Sequence, residues 1–318
     1  GMLTGIFVTA ILSSSSAASV MLVTFVESGY ITFAESIGAL LGVNIGTTIT
    51  VYLVALNITK YCLGLIAAGY AVSSFSPKGS KSCYLGEALF GLGLLFFGID
   101  IMGEAMSPLR NYKPFLTVLM SLNNVWMAII ASTIFTLVIQ SSAAVLSIVV
   151  LLSQQGFLSQ SAGVALVLGA NIGTTGTALL SSLGKQKEAV RVAVCYFVLK
   201  AFGVVAVAPV VSWFVYLIYA LQGKAFVDPE SKAERAEHVP GVIIFSHSLF
   251  NVLLAFIFLP FTSRVAKVVE FLVPNDPKTS SRSSIIGGAV MVVDTSSSGA
   301  ASTKMTAKGN LQPPRKKD

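Results

Sequence analysis

Four consecutive serines, Ser13–Ser16, stand inside an apolar run from Ile6 to Phe25, in the stretch TAILSSSSAAS. Serine-rich linkers have polar sequence on both sides, and this run does not. A second polar cluster, Gln140, Ser141 and Ser142, sits in TLVIQSSAA. Two more, the NIGTT motifs at Asn44–Thr48 and Asn171–Thr175, also interrupt apolar sequence. Hydroxyls and carboxamides offer hydrogen-bond donors and oxygen ligands without net charge. Converging in a dry site, they suit a small oxyanion or a hard cation. Bond-breaking chemistry is not expected. The clusters hold no Ser/His/Asp set, no carboxylate pair and no metal-ligand spacing, and NIGTT lacks the lysine of a P-loop. Gly46 and Gly173 are read as turn positions that would let successive N–H groups converge as an anion nest.

The clusters come in two copies. LGVNIGTT at 41–48 matches LGANIGTT at 168–175, with the asparagines 127 residues apart. The same shift lays Ser13–Ser16 on Gln140–Ala143 and the loop GYI (29–31) on GFL (156–158). One gap-free offset aligning two motifs and a loop reads as an internal duplication. Polar or glycine interruptions at matching positions in two halves of a membrane chain mark the midplane site of secondary transporters. Small residues also allow helices to pack closely. That plainer reading covers one Ser-Ser pair better than four clusters at a shared spacing.

The elements that must carry these clusters are membrane helices. The 318 residues are 54% hydrophobic and 11% charged, where soluble proteins carry about 25% charged residues. The mean hydropathy is +0.80. The expected fold is an all-α polytopic membrane protein of two repeated, inverted halves with re-entrant or broken helices. Apolar blocks run over Met2–Val26, Ala34–Leu56, Tyr61–Phe75, Tyr84–Met106, Val125–Leu152, Ala162–Leu183, Val190–Leu221 and Val242–Phe261. Tyr61–Phe75 falls short of the ~20 residues a spanning helix needs. Residues 1–106 form the expected first repeat. It is read as N-terminally incomplete, because the counterpart of segment 86–110 would precede Gly1. Residues 107–272 form the second repeat with a terminal helix. Residues 273–318 form a disordered polar, basic tail, apart from a short apolar piece at Ile285–Val293. Four crossings per half would leave the halves parallel. Inversion requires one re-entrant hairpin per half, and the Ser/Gln block is the candidate.

The net charge of +7 resides in short loops and the tail, with no basic stripe interleaved with aromatics for nucleic acid. Basic residues in three loops, among them Lys78, Arg110, Lys113 and Lys185, do not fit simple alternation across a bilayer. Cys62, Cys83 and Cys195 form no CxxC and are read as small apolar packers. Lys200 lies in mid-block, and an intramembrane lysine is a functional candidate. Its partner is left open between an anion, a carboxylate such as Asp100 or Glu104, and a headgroup. His247 and Asn251, four apart, are expected to lock one helix face. Glu27 and Glu35 are expected to be solvated.

IQSSAA (139–144) with GANIGTTGTAL (169–179), HSLFN (247–251) with FLPF (258–261), and GLGLLFFGIDIM (91–102) together resemble the type II sodium–phosphate cotransporter family, in its bacterial branch. The resemblance covers roughly residues 1–272. That family duplicates a QSSS motif, each copy followed by GANIGT. Here Ser13 stands at the first glutamine and Ala143 at a serine. Tyr196 and Lys200 stand where the family often has histidine and asparagine or lysine. The resemblance implies sodium-coupled phosphate transport by alternating access in a multi-pass cell-membrane protein. The partners are phosphate, sodium and lipid, a homodimer is left open, and the co-transported sodium stands in place of any organic cofactor. Phosphate needs donors and positive potential, which helix N-termini supply, while sodium needs oxygen ligands. Ser14, Ser15, Ser16, Gln140, Ser141, Ser142, Asn44, Asn171, Thr174 and Thr175 are the expected substrate lining. Ser13, Thr47, Thr48, Gln140, Ser147 and Thr174 are the expected sodium ligands. Lys200, His247 and Asn251 are further functional candidates. The competing readings are a passive anion channel and a non-transporting phosphate sensor.

Overall fold

The computed structural model describes residues 1–55, 59–105, 112, 122, 124–274, 284–286, 289–292 and 304–306. Arg110, Lys113, the side chain of Glu104 and most of the expected tail lie outside the described residues.

Two apolar runs break at their polar clusters. Helix α1 (Met2–Leu12) stops at Ser13, whose φ of 50° is left-handed, and α2 (Ser15–Glu27) starts two residues later. Helix α6 (Val125–Ile139) stops at Gln140, with φ 59°, and α7 (Ser142–Gln154) follows. Among the described residues these are the two non-glycine residues with positive φ. Such a conformation crowds Cβ against the carbonyl, so both breaks are held by their surroundings. Each new helix is then capped by a serine. Ser14 Oγ accepts from Ala17 N at 3.2 Å, and Ser141 Oγ accepts from Ala144 N at 3.3 Å.

Each break is followed by a longer helix carrying an NIGTT motif. Helix α3 (Phe33–Ala55) opens with a capping box, in which Thr32 N donates to Glu35 Oε2 at 2.8 Å and Glu35 N to Thr32 Oγ1 at 3.3 Å. Glu35 is exposed as expected and also performs this role. Helix α8 (Gln160–Gly173) is capped by Ser159 and leads directly into α9 (Thr175–Ser181). Glu27 accepts from Gln186 N at 2.9 Å. The remaining helices among the described residues are α4 (Cys62–Phe75), α5 (Lys81–Ala105), α10 (Lys187–Val207), α11 (Val211–Leu221), α12 (Lys232–Phe258) and α13 (Thr262–Leu272). Short 3-10 turns with a proline, Ala208–Val210 and Leu259–Phe261, join α10 to α11 and α12 to α13.

Glycines set how closely the helices approach. A Cβ on Gly42 would lie 2.0 Å from Met2 O, and one on Gly169 would lie 2.3 Å from Ile129 O. Backbone therefore meets backbone between α1 and α3, and again between α6 and α8, at residues 127 apart. Small residues at a membrane helix interface permit this. One core joins α6–α8 with α11 and α12, around Val149, Leu168, Ile218 and Ile243. A second joins α2, α3 and α10 with Ala266 and Val269 of α13. Helices α4 and α5 pack mainly on each other.

The segments Phe33–Tyr52, Gln160–Ser181, Lys187–Leu221 and Lys232–Leu272 are long and apolar enough to cross a membrane. Large apolar side chains such as Phe7, Phe202, Trp213 and Phe256 are exposed, as bilayer-facing residues are. The chain is an all-α polytopic membrane protein through Val269. The contacts set off a second unit, Glu270–Asp318. It holds a small antiparallel sheet of order β1-β2-β3, formed by Ser284–Ile286, Ala289–Val292 and Lys304–Thr306. Ile285 pairs with Val290 and Met291 with Met305. The apolar piece expected at Ile285–Val293 contains β2 and most of β1.

Candidate functional site

The two helix breaks meet. Ser13, Ser14, Ser15, Ser16, Gln140, Ser141, Ser142 and Ala143 line one cavity of about 100 Å³, with Thr47 and Thr50 of α3. Ser16 Oγ donates to Gln140 O at 3.4 Å, joining walls that are 124 residues apart in sequence. Ser15 and Ser142 are buried on the inner side, while Ser13 and Gln140 are exposed at the rim. Among the described residues the lining holds no ionisable side chain. Its positive potential comes from the N-termini of α2 and α7, which begin at the cavity wall. Organic-ligand pockets run to ~300–1,000 Å³, so this volume fits a small inorganic ion.

Thr50 is the residue that sequence reasoning missed. It is buried, and its Oγ1 has no partner among the described residues. A buried hydroxyl without a partner costs about 1–3 kcal/mol, which singles Thr50 out among the residues of the cavity wall. Extending the NIGTT comparison two residues further, to Thr50 and Thr177, would have found it.

Other expected site residues lie elsewhere. Thr48, Thr174, Thr175 and Ser147 are outside the cavity lining. Their hydroxyls donate within their own helices, to Ile45 O, Ala170 O, Ile172 O and Ala143 O at 2.7, 2.7, 2.7 and 2.8 Å. Thr47 lines the cavity and donates to Val43 O at 2.7 Å. Asn44 is fully buried off the lining, and neither its Oδ1 nor its Nδ2 has a partner among the described residues.

The anion nest expected at NIGTT does not form. Asn44–Thr48 lie within continuous α3, and Thr174 between α8 and α9 keeps right-handed helical angles, with φ −58° and ψ −27°. Gly46 and Gly173 serve packing instead. A Cβ on Gly46 would lie 2.7 Å from Thr9 Cβ, and one on Gly173 would lie 2.5 Å from Thr136 Cβ.

A second polar cluster is buried beside the cavity. Lys200 Nζ donates to Asn171 Oδ1 at 2.6 Å and to Asn251 Oδ1 at 2.5 Å. Asn251 Nδ2 donates to His247 O at 2.8 Å and lies 3.3 Å from His247 Nε2, the expected helix-face lock. Asn171 therefore faces the lysine, not the cavity. Of the carboxylates suggested for Lys200, Asp100 is exposed on α5. Tyr196 is buried one turn before Lys200, and its hydroxyl lies near Ser15 of the cavity wall.

The family described as Na+/Pi-cotransporter matches residues 1–104 and 110–223. The chain belongs to this family. Those bounds take in both serine-bearing breaks, both NIGTT motifs and Lys200. The chain is 30% identical over 275 residues to "Uncharacterized protein YqeW" of Bacillus subtilis, covering 86% of this chain and 84% of that one. It is 25% identical over 275 residues to "Putative inorganic phosphate export protein YjbB" of Escherichia coli, covering 86% of this chain and 48% of that one. A Salmonella typhimurium protein of the same description is 23% identical over 275 residues. The chain thus spans about half the length of these family members with a phosphate-export description. No solved structure gives a significant match.

Proposed function

We propose that this chain is a sodium-coupled secondary transporter of inorganic phosphate in the cell membrane, working by alternating access between two repeated, inverted halves. The observation that carries the proposal is the cavity shared by Ser13–Ser16 and Gln140–Ser142. The two walls have the same build 127 residues apart: a left-handed residue, a serine cap and a fresh helix N-terminus. Helices α1 and α2 have 11 and 13 residues, about 16 and 20 Å at 1.5 Å per residue. Neither spans a hydrocarbon core of ~30 Å. Helices α6 and α7, of 15 and 13 residues, are also short, which supports a re-entrant hairpin in each half and hence inversion.

Phosphate would take serine hydroxyls and the two helix N-termini. Sodium would take hydroxyl and carbonyl oxygens, with Ser13, Thr47, Thr50 and Gln140 nearest to hand. An uncharged site binds a cation better once an anion is present, and the reverse holds equally. That reciprocity is the coupling. The export description of the relatives supports outward flux wherever internal phosphate outweighs the sodium gradient. Calorimetry on the purified chain tests the proposal. Phosphate binding should strengthen at least tenfold on adding sodium chloride in place of choline chloride, and equal binding in both salts would overturn it.

A further inference from the structure

Lys200 is 3% exposed in the middle of α10. Its ammonium donates to the oxygens of two carboxamides and lies 5.9 and 5.8 Å from the ring centres of Tyr196 and Phe250. Among the described residues no Asp or Glu comes within ion-pairing distance, while Arg191 of the same helix is paired with Glu188 at 2.6 Å. A buried charge without a counter-ion is costly, and intramembrane cations normally have a functional reason. Converging amide oxygens are hard-cation ligands, and aromatic faces attract cations as well.

The surrounding helices share a plan that makes the lysine the odd residue. Helices α10 and α12 each run into a proline-containing 3-10 turn, at Pro209 and Pro260. Lys200 and Asn251 each stand nine residues before that proline, and Tyr196 and His247 thirteen before it. At the position matched by the Asn251 amide, this chain carries a cation of its own.

We infer that the Lys200 ammonium is a tethered ion occupying a monovalent-cation site built by Asn171 and Asn251, in place of one dissolved sodium. Its consequence for transport rests on the proposed sodium–phosphate reading; the site itself does not. A tethered charge returns with the empty carrier and moves no net charge through the cycle. Phosphate is then carried with one sodium fewer, and net efflux begins at a lower internal phosphate level. Tyr196, whose ring faces the ammonium, lies near Ser15 of the cavity wall, so this charge stands beside the cavity, where it favours an anion.

Equilibrium binding of radioactive sodium to the purified full chain tests the inference. Lys200→Asn, which restores the matched amide, should bind one more sodium per chain than the wild type, with or without inorganic phosphate. Lys200→Gln, closer in volume to lysine, gives the same count should the first variant fold poorly. Equal sodium stoichiometry in a folded variant and the wild type overturns the inference. Absence of sodium-dependent phosphate binding in the wild type overturns the proposed function instead, and the sodium count still decides the fate of the lysine site.

Discussion

Gly169→Ala probes the packing that holds one cavity wall. The added Cβ would sit 2.3 Å from Ile129 O and 2.8 Å from Ser132 Cβ. Both neighbours belong to helix backbone or to its first side-chain atom, so neither can rotate away. Relief requires α6 and α8 to part by about 1 Å, to reach ordinary van der Waals separation. That shift strains the bond from Ser132 Oγ to Leu166 O at 2.6 Å and the one from Thr133 Oγ1 to Gly169 O at 3.1 Å. Overpacking costs ~1–3 kcal/mol. Replacing glycine by alanine inside a helix returns up to about 1 kcal/mol. Because the nearest contact is to a backbone atom, the upper part of the overpacking cost applies, ~2–3 kcal/mol, and the net expectation is a loss of about 1–2 kcal/mol. Gln140 follows α6 directly, so the displacement reaches the cavity rim. A loss of 1.4 kcal/mol in binding is a factor of ~10 in affinity. Gly91→Ala is the control, since nothing lies within 4 Å of its added Cβ. Thermal melting in detergent and sodium-dependent phosphate binding should both fall for Gly169→Ala, whereas Gly91→Ala should keep its binding and melt at the wild-type temperature or above, by up to the equivalent of about 1 kcal/mol. A Gly169→Ala protein with wild-type melting and affinity would refute the claim that backbone contact between α6 and α8 positions the site.

Gln140→Ala and Ser141→Ala should each weaken sodium-dependent phosphate binding, and Ser141→Ala should also lower stability by ~1 kcal/mol through its lost helix cap; unchanged calorimetry for both removes this wall from the site. Asn44→Leu should melt higher by the equivalent of ~1–3 kcal/mol, because it removes a buried carboxamide without partners; lower melting would mean that this amide is bonded in the membrane. Cys62, Cys83 and Cys195 are all buried free thiols. They should resist maleimide in the folded chain and label fully in denaturant, and prompt labelling when folded would contradict their packing role.

The paired polar clusters were legible because a shared offset survives in residue types. The serine run and the Gln-Ser-Ser motif were each visible, and both line one cavity. The conformation that makes each break was not legible. Ser13 and Gln140 adopt left-handed angles usually left to glycine, and nothing local announces this. The glycines of NIGTT misled in the opposite sense. In water a glycine there would suggest a turn, but between membrane helices it more often clears space for a neighbouring backbone. Lys200 stood out on composition alone. Its partners did not, because Asn171 and Asn251 lie 29 and 51 residues away and only the packing of α8, α10 and α12 brings them together.

The most direct test is uptake of radiolabelled phosphate into proteoliposomes holding the purified chain, with sodium chloride or choline chloride outside. A coupled transporter accumulates phosphate above the external concentration while the sodium gradient lasts, and loses that accumulation when a sodium ionophore collapses the gradient. Equilibration to the external level and no further, at the same rate in both salts, would contradict sodium coupling and show a passive anion pathway.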